Sequence, residues 1–101
     1  MVRNMLYSVM ILSFKQKGLR KFYEAGSTAG IQAQHAKKLR LMLAALGTAI
    51  RIDDMDIPGY DLHPLKADRK GEWAISVSGN WRVTFKLENG NAKIVNYEDY
   101  H

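Results

Sequence analysis

The last third of the chain alternates between apolar and polar residues, which is the pattern of β-strands with one buried face. Two turn sequences divide it: Ser-Gly-Asn at 78–80 and Asn-Gly at 89–90. Asn-Gly is the dipeptide that the type I′ turn of a tight hairpin favours. The pattern therefore predicts an antiparallel meander of three strands, at 72–77, 81–87 and 92–97.

The first half of the chain predicts one strand and two helices. Residues 9–14 are apolar and partly β-branched, as in a buried strand. Residues 18–25 predict a short helix that ends at Gly26, because glycine readily adopts the left-handed conformation that closes a helix. Residues 32–46 repeat apolar residues at helical spacing, which predicts a second helix ended by Gly47.

This order of elements, β-α-α-β-β-β, predicts an α+β domain with two helices on one face of a mostly antiparallel sheet. Residues 48–70 are predicted to be irregular. Because side chains alternate along a strand, Trp81 and Val83 facing the helices would put Arg82 and Thr84 on the opposite face. That second face could be solvated or could be a binding surface.

Length and composition bound the class of protein. A chain of 101 residues fits a single domain over 1–101, and the absence of cysteine excludes disulfides, thiolate metal sites and a thiol nucleophile. No apolar run reaches the ~18–20 residues that cross a bilayer. The apolar stretch at 5–12 is short and interrupted by Ser8, so it does not predict an export signal. These features favour a cytoplasmic protein without membrane association.

Positive charge is concentrated in the first half of the chain. Fifteen Lys and Arg against ten Asp and Glu give a net charge of +5, and seven of the basic residues lie with one glutamate between 11 and 42. Clustered positive charge suits a polyanion, since each neutralised phosphate releases counterions. The alternative is that these side chains only solvate an exposed helix face.

Residues able to move protons or hold phosphate lie at three places: His63 with Lys66 and Arg69, then Arg82, then 98–101. Singly, each has a simple structural explanation, such as a packed loop histidine, an arginine paired with an acid across strands, or a frayed tail. Together they could hydrolyse RNA without a metal, which requires a base, an acid and cations for the phosphorane. No motif for a metal or a nucleotide is present, so no cofactor is expected.

Several segments are informative in combination: Met-Ile-Leu-Ser-Phe at 10–14, Leu-His-Pro-Leu-Lys at 62–66 with Asp-Arg at 68–69, Trp-Ala-Ile-Ser-Val at 73–77, Asn-Trp-Arg-Val at 80–83 and Asn-Tyr-Glu-Asp-Tyr-His at 96–101. In this combination the chain resembles the HigB toxins, which belong to the RelE superfamily and to bacterial type II toxin–antitoxin systems. The resemblance covers residues 10–101, nearly the whole chain.

The resemblance implies a RelE-like domain that enters the A site of the ribosome, on the 30S subunit, and cuts the mRNA there. It also implies a HigA antitoxin with a helix-turn-helix as the partner, through which alone operator DNA would be contacted. The active-site residues of the family fall here on His63, Lys66, Arg82, Asp99, Tyr100 and His101.

The chain departs from the family pattern in two places. Ala67 stands where relatives often carry glycine, which could stiffen the loop after Lys66. Residues 1–9 precede the usual family start, and they could be an added segment or reflect a mis-assigned start before Met10. Neither departure removes a reacting group.

Basic residues of the first half would form a rim that binds ribosomal RNA phosphates. The ribosome would then hold the mRNA in the reactive geometry, so free RNA should be a poor substrate. The residues assigned to RNA binding are Lys15, Lys17, Lys21, Lys37, Lys38 and Arg40 in this rim, together with Arg69.

The expected reaction is in-line attack of a ribose 2′-OH on its own 3′-phosphate, which gives a 2′,3′-cyclic phosphate, or its 3′-phosphate product, and a 5′-OH. The two histidines of the set are the best proton carriers, and which of them is base and which is acid stays open. The roles are then proton transfer by His63 and His101, phosphorane stabilisation by Arg82 and Lys66, base or orienting group for Asp99, and stacking or phosphate binding by Tyr100.

Two other functions fit the same composition. A basic RNA-binding or ribosome-binding module without catalysis would have a similar charge and sheet. A protein that regulates its own operator would need a DNA-reading element, and the sequence contains no helix-turn-helix pattern.

Overall fold

Two α-helices cover one face of a five-stranded β-sheet in the computed structural model, which describes residues 10–100. This arrangement confirms the predicted α+β class. The helices are α1 (Lys17–Ala25) and α2 (Ala36–Thr48), and the strands are β1 (Met10–Ile11), β2 (His63–Pro64), β3 (Trp73–Ser78), β4 (Trp81–Glu88) and β5 (Asn91–Asp99).

The order of strands in the sheet is β1-β5-β4-β3-β2. Strands β2 to β5 are antiparallel to their neighbours, whereas β1 pairs parallel to β5. Along the chain, both helices lie between β1 at one edge of the sheet and β2 at the other. The three predicted C-terminal strands are confirmed. Strand β5 runs two residues beyond its predicted end, so Glu98 and Asp99 belong to the sheet rather than to a tail.

Several element boundaries differ from the predictions. The first strand forms a ladder only over Met10–Ile11, with one further bridge at Phe14, and position 9 lies outside the described residues. A single 3₁₀ turn precedes α2, which continues through Gly47 to Thr48. The predicted irregular region contains β2, which two residues form against β3. The proposed extension 1–9 also lies outside the described residues.

Helix α1 has clear sequence signals at both ends. The side chain of Gln16 accepts a hydrogen bond from the N–H of Leu19, at 2.8 Å, and so caps the first turn. Gly26 adopts φ +76° and its N–H donates to the carbonyl of Phe22, as predicted for a glycine that ends a helix.

Within the described part of the chain, no helix is long and apolar enough to cross a membrane.

The core lies between the helices and the sheet face that they cover. Apolar side chains alternate along each strand, so every second residue enters this layer. The largest fully buried side chains are Leu19 from α1, Leu39, Met42, Leu43 and Leu46 from α2, Met55 from the following turn, and Ile75, Val83, Phe85 and Val95 from the sheet.

A β-bulge in β5 sets the register of its C-terminal half. Next to the hairpin turn Leu87 pairs with Ala92, but farther along Arg82 pairs with Glu98, so β5 has gained one residue relative to β4. The bulge lies at Ile94, whose φ is +47° and whose N–H donates to Ser13 Oγ at 2.8 Å. A continuous hairpin ladder would instead have placed Arg82 opposite position 97.

Ala67 occupies a backbone conformation that favours glycine, since its φ is +57°. Replacing Ala67 with glycine should therefore raise the free energy of unfolding by ~0.5–1 kcal/mol, a net value that includes the larger chain entropy of glycine in the unfolded state. The melting temperature should rise by ~2–8 °C. Thermal unfolding checks this. Ala44→Gly, on the exposed side of α2, is the matched control and should lower stability by ~1 kcal/mol. A lower melting temperature for both variants would contradict the explanation.

Candidate active site

The sheet face opposite the helices carries polar side chains, and we call it the polar face. Register places His63, Ala74, Thr84 and Asn96 in one row across it. The next row contains Ser76, Arg82 and Glu98. Directly paired residues of antiparallel strands share a face, so both rows lie on the side away from α1 and α2. The predicted separation of Arg82 and Thr84 from the helix-facing residues is thus confirmed.

Glu98 is the centre of an ionic cluster on the polar face. Its Oε2 accepts hydrogen bonds from Arg82 Nη2 at 2.8 Å, Arg82 Nε at 3.1 Å and Arg69 Nη1 at 3.0 Å. Its Oε1 accepts from Asn96 Nδ2 at 3.0 Å. Arg69 Nη2 also donates to Glu72 Oε1 at 2.9 Å and to Thr84 Oγ1 at 3.1 Å. We call Arg69, Glu72, Arg82 and Glu98 the four-charge cluster.

The four-charge cluster pairs two basic with two acidic side chains and so carries little net charge. Burial raises the pKa of Glu98, but hydrogen bonds and attraction from Arg69 and Arg82 outweigh it and hold the pKa below its usual value. Hydrogen bonds to Glu98 and then Glu72 raise the pKa of Arg69. Two arginines therefore face two glutamates, and the cluster adds little net attraction for a distant polyanion.

Arg82 and Tyr100 lie together at the C-terminal end of β5. The Arg82 guanidinium carbon is 4.0 Å from the centroid of the Tyr100 ring, which is a cation–π contact. The N–H of Tyr100 donates to the carbonyl of Asn80 at 3.0 Å and so continues the hairpin past the last strand residue. Tyr100 remains 43% exposed, so the outer part of its ring is open to a ligand.

His63 lies on the edge strand β2, on the same face as Arg82. Its Nδ1 is 2.8 Å from the carbonyl oxygen of Asp61, which can only accept a hydrogen bond. The neutral ring therefore carries its proton on Nδ1 and leaves the Nε2 lone pair for a substrate, a tautomer inferred from this contact. The strands that carry His63 and Arg82 are two strand spacings apart, or ~10 Å.

The other three proposed catalytic residues are Lys66, Asp99 and His101. Lys66 is exposed and precedes the single turn Ala67–Arg69. Alternation along β5 directs Asp99 to the side opposite Glu98. The electrostatics of Tyr97, which is on the helix side, agree with this direction. Burial raises the pKa of the Tyr97 hydroxyl, and the negative charge of Asp99 raises it further. His101 lies outside the described residues.

His35, to which the sequence assigned no role, is buried on the helix side of the same sheet end. Its Nδ1 is 2.7 Å from the hydroxyl oxygen of Tyr97, and its ring meets Trp81 edge-on. Trp81 and Tyr97 are stacked with their centroids 4.5 Å apart. His35, the N-cap residue of α2, therefore joins the start of that helix to the strands that carry the candidate site.

Part of the basic rim is held near that sheet end. Lys15 and Lys17 flank Gln16, whose Nε2 donates to the carbonyl of Tyr97 at 3.4 Å. Lys37 and Lys38 follow closely after His35, which bonds the side chain of the same tyrosine. The remaining rim residues Lys21 and Arg40 lie one turn farther along α1 and α2, and Arg69 belongs to the four-charge cluster.

Glu98 lies in the third candidate place, 98–101, but the sequence assigned a role neither to it nor to Glu72. The hairpin turn alone would pair Arg82 with Tyr97, and only the bulge at Ile94 brings Glu98 opposite Arg82. No sequence signal located the bulge. In residues 10–100, no group of three or more His, Asp or Glu side chains could hold a metal ion.

Comparison with known proteins gives consistent matches over most of the chain. A family model described as the RelE-like HigB toxin of type II toxin–antitoxin systems matches residues 12–101. The endoribonuclease HigB of Proteus vulgaris is 50% identical over 92 residues, which are 91% of this chain and 100% of that protein.

A solved structure, that of a mutant of YafQ from E. coli, aligns with 89% of this chain and 93% of its own, at 15% identity and a TM-score of 0.49. The family match extends over the strands and loops that build the polar face. This chain therefore belongs to the HigB toxins of the RelE superfamily.

Proposed function

We propose that this chain, an endoribonuclease toxin of the HigB family, cuts mRNA in the A site of the ribosome by 2′-OH attack and without a metal ion. The observation that carries the proposal is the exposed end of the polar face. There Arg82 contacts Tyr100, and His63 presents a ring nitrogen on the same face. These are the groups that transfer of a phosphodiester needs: a cation, a stacking ring and a proton carrier.

In the proposed reaction, a bond forms between the 2′-oxygen and phosphorus while the bond from phosphorus to the 5′-oxygen breaks. The contact with Asp61 supports His63 as the base, because the neutral ring has its lone pair on Nε2. His101 would then protonate the departing 5′-oxygen. Arg82 and Lys66 would stabilise the phosphorane. We assign Asp99 the orienting role rather than that of the base, because alternation along β5 directs it to the side opposite Glu98.

The ribosome is proposed to provide the RNA affinity that the four-charge cluster lacks. Because two glutamates offset the charges of Arg69 and Arg82, the four-charge cluster itself adds little attraction for free RNA. The lysines near Gln16 and His35, on the helix side of the same sheet end, would instead bind ribosomal RNA phosphates. A ribosome that holds both partners converts cleavage into an effectively unimolecular step.

A type II toxin has an antitoxin partner, and we propose that it is a HigA-like protein with a helix-turn-helix. Operator DNA would then be contacted only through that protein. The cytoplasm, where ribosomes and mRNA meet, is the proposed location. Electrostatic steering between the basic helices and an acidic antitoxin surface would make association fast and sensitive to salt.

The proposal is tested by mapping mRNA ends on programmed ribosomes by primer extension, beside the same mRNA free in solution. The protein is first stripped of metal with EDTA and then freed of the chelator. We expect cuts only in the A-site codon of ribosome-bound mRNA, with a 2′,3′-cyclic phosphate on the upstream fragment. Equal cleavage of free RNA would contradict ribosome dependence, and a 3′-OH end would contradict 2′-OH attack. Ribosome binding without any cleavage would indicate a non-catalytic module.

A further inference from the structure

Arg82 is held by two contacts that leave one edge of its guanidinium without a hydrogen bond from residues 10–100. Glu98 accepts from Nε and Nη2, and the ring of Tyr100 covers one face. Within residues 10–100, no hydrogen bond engages Nη1. The Nη1–Nη2 edge is therefore the fork that remains for a phosphate, and bidentate binding uses such a fork. The side chain is only 13% exposed, so its direction is tightly restricted.

Glu98 is itself fixed from two sides. Asn96 donates to Oε1, while Arg69 donates to Oε2 and is tied to Glu72, just before β3, and to Thr84 on β4. A carboxylate with both oxygens engaged has little freedom to rotate. Whatever orients Glu98 therefore also orients Arg82, which shares Oε2 with Arg69.

We propose that Glu98 is the positioning residue of the active site. It directs the Nη1–Nη2 edge of Arg82 toward the RNA phosphate and cancels the long-range charge of Arg82. The inference rests on the phosphate contact of Arg82 put forward under the proposed function. It deepens that function by assigning a role to a carboxylate that touches neither substrate nor reacting atoms.

Charge cancellation has a consequence for catalysis. A phosphodiester carries one negative charge, whereas the phosphorane carries a second that develops at the transition state. The neutral four-charge cluster attracts the phosphodiester of the ground state only weakly. A correctly directed Arg82 fork interacts more strongly with the phosphorane, because the phosphorane carries the additional negative charge. Loss of Glu98 should therefore tighten substrate binding, because the positive charge of Arg82 is no longer cancelled. It should also slow the chemical step, because the Nη1–Nη2 edge of Arg82 is no longer directed at the phosphate.

The test is a double-mutant cycle on mRNA cleavage, with kcat and KM measured separately on ribosome-bound or free RNA, whichever the wild-type protein cuts. E98Q should lower kcat by about 10- to 100-fold and also lower KM. In the R82K background, E98Q should change kcat by no more than about twofold, since the residue it positions has lost its fork. The control is E88Q, which removes the exposed ion pair with Lys93 on the same hairpin and should match wild type.

Several results would overturn the inference. Wild-type kcat for E98Q, with R82K impaired, would show that Arg82 acts without Glu98. Additive losses in the double variant would show that Glu98 acts elsewhere. Wild-type cleavage by R82K would instead refute the phosphate contact proposed for Arg82. If near-UV circular dichroism shows that E98Q has lost the packing of Trp81 on Tyr97, E98D decides: a lower kcat at unchanged KM supports positioning, and an unchanged kcat refutes it.

Discussion

A protein with His63→Asn should cleave ribosome-bound mRNA about 10²–10⁴-fold more slowly than the wild type, while it folds normally. The asparagine amide can donate to the Asp61 carbonyl in place of Nδ1–H, so the local contact of 2.8 Å has a substitute. Asparagine cannot take up a proton at neutral pH. The variant therefore separates proton transfer from local structure.

Single-turnover cleavage over a range of pH is the measurement for this variant. In the wild type, the limb of the pH–rate profile that belongs to the base should be present, and in His63→Asn it should disappear. The melting temperature provides the folding control, since it should stay close to that of the wild type. If the variant retained the wild-type rate and profile, His63 would not be the base.

Arg82→Lys should lower kcat by about 10²–10³-fold although the charge is retained. Lysine can keep one hydrogen bond to Glu98, but it has no planar fork for a phosphate and stacks less well on Tyr100. The loss should appear in kcat rather than in KM, because the ammonium preserves the net charge of the four-charge cluster.

The matched control for Arg82→Lys is Arg20→Lys, which makes the same chemical change at an exposed position of α1. Both proteins should bind programmed ribosomes like the wild type, and only Arg82→Lys should cleave slowly. Equal kcat values for the two variants would mean that any cation at position 82 suffices. A fork on the polar face would then have no part in the reaction.

The fold was largely predictable from patterns that extend over several residues. Alternation located the three C-terminal strands, and Gly26 marked the end of α1, where it adopts φ +76°. Strand β2 escaped prediction because two residues, His63 and Pro64, show no periodicity, and their pairing with β3 is a tertiary contact. Gly47 failed as a helix end because packing of α2 against the sheet outweighs a weak local preference.

The candidate site was predictable in its components more than in its connections. The interpretation of Arg82 as a partner of an acid on the neighbouring strand is confirmed, and it is compatible with the catalytic role still proposed for it. The identity of that acid depended on a one-residue bulge. Residues that act through another side chain, such as Glu98, leave no motif of their own. The roles proposed for His63, Lys66 and Asp99 remain predictions.

The bulge at Ile94 also determines which side chains of β5, between the hairpin turn and the candidate site, face the helices and which face the opposite side. Side chains along β5 have a period of two, so adding or deleting one residue there would exchange inside for outside. If the same sequence formed a continuous ladder without the bulge, Tyr97 would lie opposite Arg82, and Glu98 and Tyr100 would turn toward the helices. Evolution can therefore vary the identity of most residues in this segment far more easily than it can vary their number.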